Sequence, residues 1–214
     1  MTEQALRTAI VAACRQLNDS GLNQGMAGNV SVRIGEKILI TPTATPYDVM
    51  RPEDIASFPL AGGGQDAMGP LRPSSEWRFH RDLLRARDDI GAVVHAHPPH
   101  ATALAIARRG IPPCHYMVAT FGGEDVRCAA YATFGTAALS DAVTRAMQGR
   151  HGCLMANHGM LATGRDLAQA MWRAIELEAL ARQYLLALSA GGAVLLSPQD
   201  IAAASDRFAS YRPV

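Results

Sequence analysis

The stretch Ala92-Val93-Val94-His95-Ala96-His97 ends in two histidines one residue apart. On a β-strand, residues i and i+2 point to the same face. A strand here would project His95 and His97 together, with nitrogens close enough to hold one metal ion. Pro98 and Pro99 follow at once, and proline gives no N–H to a sheet ladder, so the strand should stop where the histidines sit. Taken alone, the pair also fits two half-buried histidines with backbone partners. A third histidine, in Asn157-His158-Gly159, ends another apolar run, Gly152–Ala156. Three imidazoles with a fourth position open form the pattern of a catalytic rather than a structural zinc. Imidazoles also suit cobalt, nickel or iron.

Other polar residues are ambiguous on their own. Pro73-Ser74-Ser75-Glu76 opens a helical pattern with Trp77, His80 and Leu84 at helical spacing. Serine is a favoured N-cap and a first-turn carboxylate is favoured by the helix dipole, so Ser74, Ser75 and Glu76 also read as helix-start chemistry. Asn29 and Thr43 read equally as turn residues.

The elements that must position these groups follow from periodicity. Thr2 can cap a helix with Leu6, Ile10, Cys14 and Leu17 on one face, stopped near Gly21. Val30, Val32 and Ile34 alternate, Gly35-Glu36 turns, and Ile38–Ile40 returns as a hairpin. Ala56–Leu60 and Val126–Ala129 are further strand candidates. Helices are expected after Pro99 to about Arg109, over Thr136–Gln148 and over Leu167–Leu188. Ser197-Pro198 is a cap-plus-N1 pair for a last helix ending near Phe208. Helices on both sides of several short strands predict an α/β sandwich, with residues 1–214 as a single domain.

At 214 residues and 49% apolar content the chain can fill one sizeable core. A net charge of +1 gives no global pull towards nucleic acid, membrane or acidic partners. The cysteines (Cys14, Cys114, Cys128, Cys153) form no Cys-x-x-Cys pair, which suits a reducing compartment. Glu3, Arg7 and Arg15 interrupt the N-terminal apolar residues, and no run approaches the ~20 residues needed to span a bilayer. A cytoplasmic protein is expected.

Several stretches, in this order and at these separations, carry a resemblance. They are Gly21-Leu22-Asn23-Gln24-Gly25, Gly28-Asn29-Val30-Ser31-Val32-Arg33 and Ile40-Thr41-Pro42-Thr43. Further on come Pro73–His80, Val93–His97, Ile111-Pro112 through His115-Tyr116-Met117, Tyr131–Thr136 and His158-Gly159. Together they resemble the class II aldolase/adducin family, in its L-fuculose-1-phosphate aldolase branch. The resemblance covers nearly the whole chain. It implies a three-layer sandwich around a central, mostly antiparallel sheet, and a cyclic homotetramer with active sites between subunits. It implies one divalent metal per subunit, zinc first and cobalt or manganese next, held by His95, His97 and His158 with Glu76 beside it as acid and base. It places substrate phosphate against Asn29, Thr43, Ser74 and Ser75. It brings Tyr116, and at the chain end Tyr211, to the site of a neighbouring subunit. One departure stands out: where the family usually has glycine after Thr-Pro-Thr, this chain has Ala44, which would be strained at positive φ.

The implied reaction cleaves a ketose 1-phosphate, such as L-fuculose 1-phosphate or a 5-deoxy or 5-methylthio pentulose 1-phosphate, into dihydroxyacetone phosphate and an aldehyde. The carbanion needs stabilising, by a lysine Schiff base or by a metal at the carbonyl oxygen. Lys37 is the only lysine among the 20 Lys and Arg residues, and it is predicted on a hairpin away from every motif. The metal route therefore remains. Alternatives on the same scaffold are a dehydratase, a 3-oxo-acid phosphate decarboxylase and a 4-epimerase. The family's epimerases have an extra acid near the segment that is Cys114-His115-Tyr116-Met117 here, which has none. A non-enzymatic interaction module of the adducin type need not keep His95, His97, His158 and Glu76 together.

Overall fold

A computed structural model describes residues 1–210. The strands are β1 (Asn29–Ile34), β2 (Lys37–Ile40), β3 (Ala56–Pro59), β4 (Ala92–Ala96), β5 (Arg127–Ala129), β6 (Gly152–Met155) and β7 (Gly159–Gly164). They form one seven-stranded sheet in the order β3-β2-β1-β4-β7-β6-β5. Only the β5–β6 pair is parallel; every other neighbouring pair is antiparallel. This is the mostly antiparallel sheet expected from the resemblance.

The helices are α1 (Glu3–Asp19), α2 (Trp77–Ala86), α3 (Pro99–Ile106), α4 (Ala137–Ala146), α5 (Leu167–Ser189) and α6 (Pro198–Ser210). On one side of the sheet α1, α3 and α5 pack with Val30, Val32 and Val94. On the other, α2 and α4 pack with Val93, Leu161 and Ile40. The alternation of β4 explains this division. Val93 and Val94 are both fully buried, on opposite faces, each worth roughly 1.5–3 kcal/mol of apolar transfer. The same alternation puts His95 on the α2–α4 side with Val93.

Element ends follow local chemistry. Thr2 accepts from Ala5 N–H and caps α1, and Thr136 accepts from Leu139 N–H and caps α4. Pro98 and Pro99 end β4 and start α3, where the missing proline N–H costs nothing. Helix α3 stops at Ile106 rather than near Arg109, because Arg108 takes a left-handed φ of 52°. Met160-Leu161-Ala162 belongs to a strand that turns back on β6 through Asn157, also left-handed at φ 53°. Trp172 is 42% exposed on α5.

Candidate active site

His95 is the fourth residue of β4, paired with Asn29 on one side and Leu161 on the other. His97 lies just past the strand end, and His158 sits in the β6–β7 turn. The register of β4 against β7 brings that turn over the end of β4. The ring centroids of His95 and His97 are 4.7 Å apart, and His158 lies 4.8 Å from His95 and 5.0 Å from His97. Each offers one nitrogen to a group whose ligand atoms all lie within 4.8 Å of one another. His95 Nδ1 is 2.8 Å from the Met160 carbonyl. A carbonyl only accepts, so that nitrogen carries the proton and Nε2 is the free donor atom. It faces His97 Nε2 at 3.0 Å.

Glu76 sits at the N-terminal edge of α2, after a turn in which Ser74 Oγ accepts from Glu76 N–H. Its carboxylate is not spent on the helix. Oε2 lies 3.2 Å from His95 Nε2 and accepts from Asn29 Nδ2 at 3.0 Å. Oε1 is buried without a hydrogen-bond partner, 3.5 Å from His158 Nε2. An orphaned buried carboxylate oxygen beside converging imidazole nitrogens is an electron-rich set that fits a divalent cation.

The electrostatics agree. Burial alone would raise the Glu76 carboxyl. The charge and hydrogen bond of His95, the charge of His158 and the Asn29 N–H outweigh it and hold Glu76 below the usual carboxylate range. His97 is lowered to about 3 and His158 to about 4, in each case by burial first and then by positive neighbours, with Glu76 opposing. Burial also opposes a charge on His95, but Glu76 overrides it and pushes His95 up. At neutral pH His97 and His158 therefore keep their lone pairs.

These groups form part of the lining of a cavity of about 440 Å³. Glu76, His97 and His158 line one part; Thr43, Ala44, Ser74 and Ser75 line another. Among the described residues no lysine or arginine lines it, so an anion there would meet hydroxyls and backbone N–H groups. Ala44 does adopt the strained conformation, with φ 51°, at a cost of about 1–2 kcal/mol relative to an unstrained residue. Met26, Tyr131 and Phe134, all more than half exposed, form an apolar part of the rim. Arg78 donates to the Gly135 carbonyl at 2.7 Å and ties the 131–136 loop to α2. Lys37 is exposed at the start of β2, outside the cavity.

Asn29 lies with Thr43, Ser74 and Ser75 in the cavity wall. It lines the cavity but is 4% exposed, and its carboxamide is engaged by Glu76 and by His80, whose Nε2 is 2.5 Å from Asn29 Oδ1. Tyr116 lies outside the cavity: it is 52% exposed on a 3-10 turn (Tyr116–Phe121) and stacks on Phe208 of α6. Tyr211 lies outside the described residues.

Other contributors were not singled out in the sequence reading. Asn23, 3% exposed, accepts from His97 N–H and donates to the Ala27 carbonyl, fixing the backbone at the metal-ligand candidate. Glu178 of α5 accepts from the backbone N–H groups of His100 and Ala101 and from His100 Nδ1, capping α3 right after His97-Pro98. Gly159 packs directly against His97. The pairings of Asn23 and Gly159 with His97 and of Glu178 with α3 span tens of residues, and only the separate side-chain types were visible beforehand.

With this geometry in view, residues 8–185 match the family described as Class II Aldolase and Adducin N-terminal domain. The chain belongs to this family. It is 48% identical over 207 residues to the 5-methylthioribulose-1-phosphate/5-deoxyribulose-1-phosphate aldolase of Rhodospirillum rubrum, covering 97% of this chain and 92% of that one. It is 43% identical over 212 residues to the L-fuculose phosphate aldolase of Escherichia coli K12, covering 99% and 97%. A solved structure of an L-fuculose 1-phosphate aldolase superposes with a TM-score of 0.91 at 35% identity, covering 95% of each chain.

Proposed function

We propose that this chain is a metal-dependent aldolase that cleaves a ketose 1-phosphate to dihydroxyacetone phosphate and an aldehyde. The observation that carries this is the convergence of His95, His97 and His158 on a cavity also lined by Glu76, whose Oε1 is unpartnered, and by the hydroxyl-bearing Thr43, Ser74 and Ser75. The curated relatives with aldolase names support the reaction class. We assign His95, His97 and His158, with Glu76 beside them, to one divalent ion, zinc first. Bound there, such an ion supplies a Lewis acid that polarises the substrate's carbonyl and neighbouring hydroxyl oxygens.

The protein's own groups do the rest. Asn29, Thr43, Ser74 and Ser75 form the phosphate pocket, where hydroxyls and backbone N–H groups hold the phosphate, with Ser75 near the start of α2. In cleavage the C4 hydroxyl passes its proton through Tyr116 of a neighbouring subunit to solvent, the C3–C4 bond breaks, and C3 takes a proton from Glu76, which draws it from solvent. In condensation Glu76 removes that proton and Tyr116 of a neighbouring subunit gives one to the aldehyde oxygen. Tyr116 stands away from the cavity of its own chain, which accords with a homotetramer whose sites lie between subunits. The apolar rim of Met26, Tyr131 and Phe134 suits a deoxy or methylthio end on the sugar. A cytoplasmic setting is proposed on the four scattered, unpaired cysteines; among the described residues no helix is long and apolar enough to cross a membrane.

The test is product analysis with L-fuculose 1-phosphate, 5-deoxyribulose 1-phosphate and 5-methylthioribulose 1-phosphate. Release of dihydroxyacetone phosphate with the matching aldehyde is expected. Loss of water or carbon dioxide, or an epimerised sugar as the sole product, would overturn the assignment.

A further inference from the structure

A buried chain of side chains runs behind Glu76. Glu76 Oε2 meets Asn29 Nδ2 at 3.0 Å, Asn29 Oδ1 meets His80 Nε2, and His80 Nδ1 meets Ser31 Oγ at 2.7 Å. His80 and Ser31 are fully buried, and Asn29 nearly so. The register explains the meeting: Asn29 and Ser31 alternate onto one face of β1, and His80 lies one helical turn beyond Glu76 on α2.

The chemistry fixes the direction of every bond in this chain. An ionised carboxylate only accepts, so Asn29 presents its amide nitrogen to Glu76 and its oxygen to His80. His80 must then donate from Nε2, which leaves Nδ1 as an acceptor for the Ser31 hydroxyl. Phe79 stacks on the His80 ring at 4.7 Å and meets the His95 ring edge-on at 5.6 Å, so neither ring can turn freely. The consequence falls on the two oxygens of Glu76. Oε2 is held by Asn29, while Oε1 has no partner.

We propose that His80 is a positioning residue: acting through Asn29, it holds one oxygen of Glu76 and leaves the other as the one that moves the proton. The proposal rests on the reading of Glu76 as the proton-transfer group. It also makes the Asn29 carboxamide a support for Glu76. Loss of the His80 contact frees Asn29 to rotate, and Glu76 then samples orientations in which neither oxygen is held. Proton transfer slows while phosphate binding stays intact.

Two measurements test this. The first needs no variant. Nitrogen-15 NMR of imidazole-labelled, metal-free wild-type protein should show His80 as the neutral tautomer with its proton on Nε2. A proton on Nδ1 would overturn the proposal. The second follows exchange of the C3 proton of dihydroxyacetone phosphate with deuterated solvent, without any aldehyde, on zinc-loaded protein of measured metal content. His80→Leu should slow exchange about 10–100-fold, with the dissociation constant for dihydroxyacetone phosphate within about 2-fold of wild type. His80→Gln, whose amide N–H can take the place of Nε2–H, should recover most of the rate. Unchanged exchange in His80→Leu, or a loss that tracks weaker dihydroxyacetone phosphate binding, would overturn it. Glu76→Gln run in parallel separates the two readings: undiminished exchange there would sink the role of Glu76, whatever tautomer His80 shows.

Discussion

Gly159→Ala reaches the histidine cluster without altering any polar group. Gly159 opens β7 and pairs with Met155, and its neighbour Met160 pairs with Ala96 at the end of β4. A Cβ built on Gly159 would stand 2.5 Å from His97 Cδ2 and 2.6 Å from the Ala96 carbonyl oxygen. Ordinary carbon contacts are about 3.5–4.0 Å, so the overlap is about 1 Å in both directions. The carbonyl belongs to a strand held on both sides and cannot retreat that far. The His97 ring is the softer neighbour and must swing away from His95 and His158. A displacement on this scale should cost about 10–100-fold in metal affinity, or about 1.4–2.7 kcal/mol. The overpacking should also lower the stability of the metal-free protein by about 1–3 kcal/mol. Competition with a chelating dye for zinc and cobalt reads the first effect, and urea unfolding with chelator present reads the second. Metal affinity within 2-fold of wild type would refute the argument that Gly159 sets the place of His97.

Two further outcomes concern stability. Ala44→Gly relieves the left-handed strain of about 1–2 kcal/mol and returns about 0.5–1 kcal/mol of backbone entropy, for a net gain of about 0.5–1 kcal/mol. Its thermal midpoint should rise by roughly 1–4 °C, and a lower midpoint would show that the alanine is not strained. His151 is lowered to about 4 from 6.5 by burial first, then by Arg173 and Arg87, with Asp89 opposing. The unfolded chain therefore binds this proton more readily between pH 6.5 and 4, so stability should fall as pH drops through that window. At this part-exposed ring, solvent screening reduces the effect to roughly 1–2 kcal/mol. His151→Gln should flatten the dependence in urea melts at pH 7 and pH 4.5; an unchanged slope would show that His151 does not carry it.

How much of this was legible beforehand depends on the range of the interaction. His95 and His97 were readable because strand alternation is local, and the two prolines marked where the strand had to end. His158 was readable only as the end of a second apolar run; its approach to His95 depends on the β4–β7 register. The caps at Thr2 and Ser197 were also local. The direction of the Asn29 carboxamide was not, because it is set by Glu76 and His80 on another element. His80 was visible only as a residue at helical spacing with Trp77 and Leu84; its hydrogen bonds to Asn29 and Ser31 could not be seen from α2 alone. Ala44 is the converse case: a single residue out of pattern raised the question of strain, and the backbone at φ 51° answers it.

The central claim is that His95, His97 and His158 hold a divalent ion on which carbon–carbon cleavage depends. The most direct measurement strips the protein with a chelator, confirms the metal content, and follows dihydroxyacetone phosphate release from 5-deoxyribulose 1-phosphate before and after zinc is restored. The account predicts loss of turnover with retained fold, recovery as zinc approaches one per chain, and no recovery in His97→Ala. Full turnover in protein shown to be metal-free would contradict it.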